Sequence, residues 1–291
     1  MTSLPGEQLP SSAAPKRFEI SNLTQRLLTG MVALPLVLVA TYAGGWWFTA
    51  LALLLASIGV MEFCMLGRAR GVEGSALVGV PVAVAIVIAA HTHQPLMAVI
   101  ALLLGGPAVF ALQMLRDRHE PRVNLIKMLT TLAAVLYVGV PAALLVAIRD
   151  LPDGLIWLLT IFCLTWGTDT FAFIGGRLWG KRKLAPHISP KKTVEGAIVG
   201  VIGGIVPATL VLVAADKFTT SAMIPLALGP LLAILGDLVE SGLKRLFQVK
   251  DSHLTGFDIL PGHGGVLDRV DGLILVTVFA YAYLVSTGLA P

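Results

Sequence analysis

The sequence predicts an all-α integral membrane protein, a polytopic bundle of about nine transmembrane helices with a cytoplasmic N-terminus and an outside C-terminus. Three observations predict it. Of the 291 residues, 56% are hydrophobic and only 13% charged, with a mean hydropathy of +0.85, which leaves too little polar surface to clothe a soluble protein of this length. Apolar runs of about 20 residues, the length that crosses the hydrocarbon of a bilayer, recur along the chain. With the N-terminus inside, all of the 21 Lys and Arg residues except Arg149 and Lys217 fall in cytoplasmic segments. That bias orients the bundle and requires an odd number of spans.

Residues 1–26 are polar, rich in Pro and Ser and aperiodic, and are expected to form a disordered cytoplasmic tail. The first apolar run starts late and lacks a small-x-small exit, so it reads as a retained span rather than a cleaved signal peptide. Spans are expected at 27–43, 46–66, 74–91, 95–115, 128–148, 154–175, 195–215, 222–243 and 272–289. Internal Gly and Pro are compatible with helix where neighbouring helices satisfy the backbone. The Trp46–Trp47 pair suits an interfacial anchor at an outside turn. The region 27–150 carries almost no intramembrane charge and reads as packing and lipid-facing helices, so chemistry is expected in 151–291. Cys64 and Cys163 are too few for a disulfide framework and lack metal-ligand spacing. His91 and His93 are expected at the outside edge without partners. No internal repeat, no Cys/His zinc constellation and no GxSxG element is present.

Three polar sites are expected to converge on the cytoplasmic side. The first is Asp169 in TWGTDTFAF, near the cytoplasmic end of a span. An ionisable residue there either pairs within the bundle, for instance with an Arg, or marks a functional cavity. The second is the basic stretch GKRKLAPHISPKKTVEG, residues 180–196. Its cations could be ordinary cytoplasmic decoration or contacts to anionic lipid. Ser189, Lys191 and Lys192 just before a helix beginning around Glu195 add hydroxyl, ammonium and free backbone N–H groups, which together suit a phosphate. The glycine run of a nucleotide-wrapping loop is absent.

The third is the stretch 236–271, GDLVESGLKRLFQVKDSHLTGFDILPGHGGVLDRVD. On a helix, Asp237, Glu240, Ser241 and Lys244 share one face, which is too polar for lipid and must line a cavity. Asp237 and Asp268 stand on either side of a loop that can fold back. Two carboxylates meeting at a membrane rim suit Mg²⁺, which takes one or two protein carboxylates plus substrate phosphates and water; the plainer alternative pairs Asp237 with Lys244 and Asp268 with an Arg. Glycines around His263 permit close backbone approach. A basic, metal-capable cavity open to lipid points to joining a soluble polyphosphate to a lipid phosphate, because such transfers need positioning and charge neutralisation rather than a covalent nucleophile.

SGLKRLFQVKD followed by LPGHGGVLDRVD, and SPKKTVEG preceded by DTFAFIGGRLWGKRKL, closely resemble the two signature blocks of the phosphatidate cytidylyltransferases, the CDP-diacylglycerol synthases. The resemblance is strong over about 165–272 and generic before it. It implies that phosphatidate attacks the α-phosphorus of CTP, with Mg²⁺ and a monovalent cation such as K⁺ as cofactors. It also implies a multi-pass protein of the cell membrane that works beside membrane lipids, faces the cytoplasm and has no nucleic-acid partner; a homodimer is a possible assembly. Carried over by position, Asp237 and Asp268 are the metal ligands, and Lys244, Arg245 and His263 are phosphate-side catalytic groups. Ser189, Lys191, Lys192, Asp169 and Arg269 form the substrate-binding edge. One departure is that eleven residues separate Asp251 from His263, four more than in the family pattern. The competing readings are an ion-coupled transporter using Asp169, Asp237 and Glu240, and a related CTP-dependent transferase acting on another lipid phosphate.

Overall fold

The computed structural model describes residues 22–116, 121–249 and 265–290. Among the described residues nine helices follow in order: α1 (Asn22–Ala43), α2 (Gly45–Leu66), α3 (Ala76–His91), α4 (Pro95–Arg116), α5 (Pro121–Arg149), α6 (Gly154–Trp179), α7 (Val194–Ala214), α8 (Met223–Leu246) and α9 (Leu267–Ser286). Each of the nine expected spans falls on one of them. Seven are long and apolar enough to cross a membrane; α3 and Met31–Ala43 of α1 are shorter. α1 begins inside the stretch expected as tail, whose residues 1–21 lie outside those described.

One end of the bundle is tied by the two cations that the charge bias left outside. Arg149, ending α5, donates from Nε to the Thr41 carbonyl at 2.6 Å and from Nη2 to the Tyr42 carbonyl at 3.0 Å. It thereby satisfies carbonyls that the last turn of α1 cannot. Lys217 pairs with Asp153 at 2.7 Å. His91, expected to have no partner, instead sits 3.2 Å from Asp150 and stacks edge-on against Trp46 at 4.3 Å between ring centres. The contacts come from residues far away in sequence, which local pattern cannot reveal.

At the opposite end, α6 and α7 are joined by a feature the all-α reading lacks. Residues Lys183–Ala185 (β1) and Ser189–Thr193 (β2) form an antiparallel ribbon, with Lys183 opposite Thr193 and Ala185 opposite Ser189. Pro190 is tolerated because a two-stranded ribbon has free edges that need no N–H. The ribbon delivers Thr193 as the N-cap of α7, its Oγ1 accepting from Gly196 N at 3.1 Å.

α6 contains one turn of wider winding at Cys163–Gly167, a device often found beside functional residues, and Asp169 follows it. α8 and α9 pack closely, and Gly236 permits the approach: a Cβ there would lie 2.5 Å from the Asp271 carbonyl oxygen and 3.0 Å from Gly272 Cα. Gly236→Val is therefore expected to wedge the two helices apart, costing about 1–3 kcal/mol as overpacking does. Gly242→Ala, inside α8 where nothing lies within 4 Å, should instead stabilise by up to about 1 kcal/mol through helix propensity. Unfolding midpoints of the two variants in detergent check this.

Candidate functional site

The face read from Asp237, Glu240, Ser241 and Lys244 exists. Ser241 Oγ donates to Asp237 Oδ1 at 3.4 Å, and Lys244 Nζ holds Glu240 Oε2 at 2.7 Å. Glu240 is only 2% exposed, so its carboxylate would be strongly disfavoured without that ammonium. Lys244 and Arg245 lie in the last turn of α8, where the helix dipole favours cations.

α9 starts at Leu267, five residues earlier than the expected span, so Asp268 lies in its first turn and Asp271 just after. The cause is a residue the sequence reading passed over. Glu62, on α2 and 3% exposed, accepts from Val266 N at 3.0 Å and from Leu267 N at 2.7 Å. A buried carboxylate thus caps the start of α9 and complements its positive end. Asp268 then closes the same turn, accepting from Gly265 N at 3.2 Å on Oδ2 and from Lys244 Nζ at 3.0 Å on Oδ1.

The last contribution comes from the ribbon. Lys192 reaches from β2 to Asp237 Oδ2 at 2.5 Å, linking the basic stretch to α8. Asp169, Asp237 and Asp271 lie within electrostatic range of one another and of Lys192, and Asp169 also feels Arg269. Asp271, 7% exposed, turns Oδ1 onto Gly272 N at 2.7 Å. Together these groups line a cavity of about 460 Å³. Its acids are Asp169, Asp237, Asp268 and Asp271, and its cations are Arg177, Lys191, Lys192 and Arg269. The apolar part of its wall includes Ala172, Phe173 and Ile234. Phe173 is 68% exposed, so the cavity wall meets the outer surface of the bundle at that ring.

Of the residues expected to form the site, Asp169, Lys191, Lys192, Asp237, Asp268 and Arg269 share this cavity, and Lys244 touches it through Asp268. Ser189 lies on β2 and Arg245 on the exposed side of α8, neither among the cavity lining. His263 falls in 250–264, outside the described residues, as do Asp251 and the extra residues that follow it. The expectation of free N–H groups at the start of α7 is corrected. Val194 N donates to Arg182 O at 2.9 Å and Gly196 N to Thr193 Oγ1, while Glu195 accepts from Lys181 N, Arg182 N and Arg182 Nε at 3.0–3.1 Å. That helix end is satisfied within the protein, so the lysine side chains are what the ribbon offers a phosphate. Glu62, Arg177 and Asp271 are additions. The signal for Glu62 was a lone acid inside the apolar run LLLASIGVMEFCML.

The donor chemistry fits a hard cation: four carboxylates line the cavity, with no Cys or His lining it among the described residues. Among the described residues no three His, Cys, Asp or Glu side chains form a ready metal cage. A metal here would draw the rest of its shell from substrate phosphates and water, as Mg²⁺ commonly does.

Residues 24–287 match the cytidylyltransferase family. The chain is 36% identical over 259 residues to a phosphatidate cytidylyltransferase of Staphylococcus haemolyticus, covering 86% of this chain and 95% of that protein. It is 34% identical over 270 residues to the phosphatidate cytidylyltransferase of Brucella abortus, covering 91% and 94%. Against that of Bacillus subtilis it is 33% identical over 281 residues, covering 90% and 98%.

The cap on α9 is directly testable. Glu62→Ala leaves two buried N–H groups without acceptors and should lower stability by about 1–3 kcal/mol. Glu62→Gln retains one acceptor and should recover part of that loss. Thermal unfolding of the purified variants in detergent measures both.

Proposed function

Because the chain belongs to the cytidylyltransferase family, we propose how its charged cavity joins CTP to phosphatidate, giving CDP-diacylglycerol and diphosphate. It is a multi-pass membrane enzyme, a nucleotidyltransferase of phospholipid biosynthesis. The observation that carries the mechanism is the cavity in which four acids and four cations stand beside an aromatic ring exposed on the outside of the bundle.

Phosphatidate enters along the apolar wall at Phe173, its acyl chains remaining in lipid and its phosphate monoester facing the cations. An ammonium carries three donors. Lys192 uses one on Asp237, leaving two for phosphate oxygens, and Lys244 uses two on Glu240 and Asp268, leaving one. Arg177 and Arg269 add fork-shaped donors suited to phosphate. A lipid phosphate oxygen forms a bond to the α-phosphorus of CTP as the bond from that phosphorus to the bridging oxygen of diphosphate breaks. The phosphate monoester is already nucleophilic, so no separate base is needed, and the positive groups stabilise the charge that builds on diphosphate. Asp237 and Asp268 would hold Mg²⁺, with Asp169 and Asp271 supporting the acidic wall; when bound, the ion neutralises the triphosphate and its leaving part. A monovalent cation such as K⁺ would share the same oxygen-rich wall. The catalytic groups belong to 151–291, with Glu62 positioning α9 from outside it.

The cation bias supports a cell-membrane location with the cavity facing the cytoplasm. Labelling checks this: Lys181→Cys should react with an impermeant maleimide only from the cytoplasmic face, and Lys217→Cys only from the other. Reversed labelling would overturn the orientation.

Protein purified in detergent with Mg²⁺, labelled CTP and phosphatidate should release diphosphate and form a CTP-derived liponucleotide. Asp237→Asn and Asp268→Asn should each lower turnover by about a hundredfold or more, since both affect groups that act on the transferred phosphoryl charge. Near-normal rates in both would remove the metal assignment, and product formation with a different lipid phosphate instead would reassign the acceptor.

A further inference from the structure

Tyr137 stands on α5, in the apolar half of the chain, within a turn of wider winding at Val135–Gly139. Such turns re-aim a side chain and are frequent beside functional sites, and α6 has the same device at Cys163–Gly167 just before Asp169. The Tyr137 ring lies 5.6 Å from that of Phe63, the neighbour of Glu62 on α2. It belongs to the apolar cluster that also takes in Leu243 of α8 and Leu267 and Val270 of α9. The phenol therefore sits where α8, α9 and the Glu62 cap meet, and the charges of Asp271, Glu240 and Asp237 all act on its hydroxyl.

Two buried oxygens at this junction, Tyr137 Oη and Glu240 Oε1, have no hydrogen-bond partner among the described residues. Glu240 is 2% exposed, and only its other oxygen is held by Lys244, at 2.7 Å. A buried polar atom without a bond is costly, and more so when it carries charge. The phenol is a donor and the carboxylate oxygen an acceptor, so each lacks what the other offers. No direct bond joins them, and a buried water, which ordinarily makes about three bonds, is the usual way such a gap is closed.

We propose that Tyr137 is a positioning residue for the transfer reaction: through one buried water its hydroxyl bonds the free oxygen of Glu240, and the Asp271 carboxylate gives that water its third partner. The consequence runs through Lys244, whose Nζ lies 2.7 Å from Glu240 Oε2 and 3.0 Å from Asp268 Oδ1. A Glu240 fixed at both oxygens holds the ammonium in one place, and the ammonium sets the direction of the Asp268 carboxylate. Outer partners orient metal-ligating carboxylates in this way. The inference rests on the reading of Asp268 as a metal ligand, and adds to it a residue of the apolar half that touches neither substrate nor ion.

The test uses the full chain purified in detergent and makes two comparisons. In the first, unfolding midpoints are read without metal or substrate for Tyr137→Phe, Glu240→Ala and the double variant. Tyr137→Phe removes only the hydroxyl; it should lower the midpoint of the unsubstituted protein and leave that of Glu240→Ala nearly unchanged, because the cycle isolates what the two side chains share. An equal drop in both backgrounds would overturn the bridge. In the second, turnover of CTP and phosphatidate is followed as Mg²⁺ is titrated. Tyr137→Phe should lower kcat, and raise the Mg²⁺ needed for half-maximal rate, by about fivefold each, less than losing a direct outer partner of a metal ligand costs. Tyr283→Phe is the control: Tyr283 Oη donates to Ser221 Oγ at 3.0 Å at the far end of α9, so its loss should lower the midpoint and leave kcat and the Mg²⁺ dependence alone. A Tyr137→Phe enzyme that behaves like Tyr283→Phe would overturn the positioning role. This second comparison needs no change at Glu240 and decides the proposal even if Glu240→Ala does not fold. Near-normal rates in Asp268→Asn would remove the metal reading and the positioning role with it, while the metal-free cycle still reads the bridge by itself.

Discussion

A charge inside a bilayer must be enclosed by protein and paired, and that constraint shapes the second half of this molecule. Asp169, Asp237, Asp268 and Asp271 come from three different helices, yet all face one cavity in which ammonium and guanidinium groups answer them. Glu240 obeys the same rule one turn further along α8, through Lys244. Had any of these acids faced hydrocarbon, it would have cost several kcal/mol with no compensating partner. The ribbon between α6 and α7 follows from this need, because it carries Lys192 back to an aspartate on α8.

The two halves are coupled at one point of high consequence. Glu62 belongs to the apolar half but fixes where α9 begins, and the position of that helix start determines that Asp268 faces Lys244 and Gly265. Gly236 sets the depth at which α8 meets α9. A shift of one residue at the start of α9 would rotate Asp268 by about 100° around the helix axis and away from its lysine. The acidic wall of the cavity is therefore placed by backbone caps and a missing side chain as much as by the acids themselves.

Periodicity and length were enough to locate the nine helices, and the face of α8 followed from the spacing of Asp237, Glu240, Ser241 and Lys244. What those signals omit is pairing across the bundle. Nothing local joins Lys192 to Asp237, His91 to Asp150, or Glu62 to residues more than 200 positions away. The ribbon escaped notice because its strands are three and five residues long and polar, too short for alternation to register. The start of α7 reads as a free anion site for a related reason: a hydroxyl, lysines and helix N–H groups suit phosphate in isolation, but here Thr193 caps the helix and Glu195 binds the backbone before the ribbon. Asp271 was read as the edge of a span because the cap that extends α9 comes from elsewhere.

The mixed charge of the cavity bears on what the proposed reaction would ask of it. Four acids and four cations stand together in the lining. A nucleotide triphosphate arriving alone would meet the carboxylates, and a divalent ion arriving alone would meet the lysines and arginines; each is repelled by the half that the other needs. The pair, a metal carried on its polyphosphate, meets complementary charge on both sides. In the proposed reaction such a mixed lining would favour the complex over either component and would limit how tightly diphosphate is held after transfer. A wholly basic cavity would bind the same phosphates more strongly, and its low off-rate would then oppose product release.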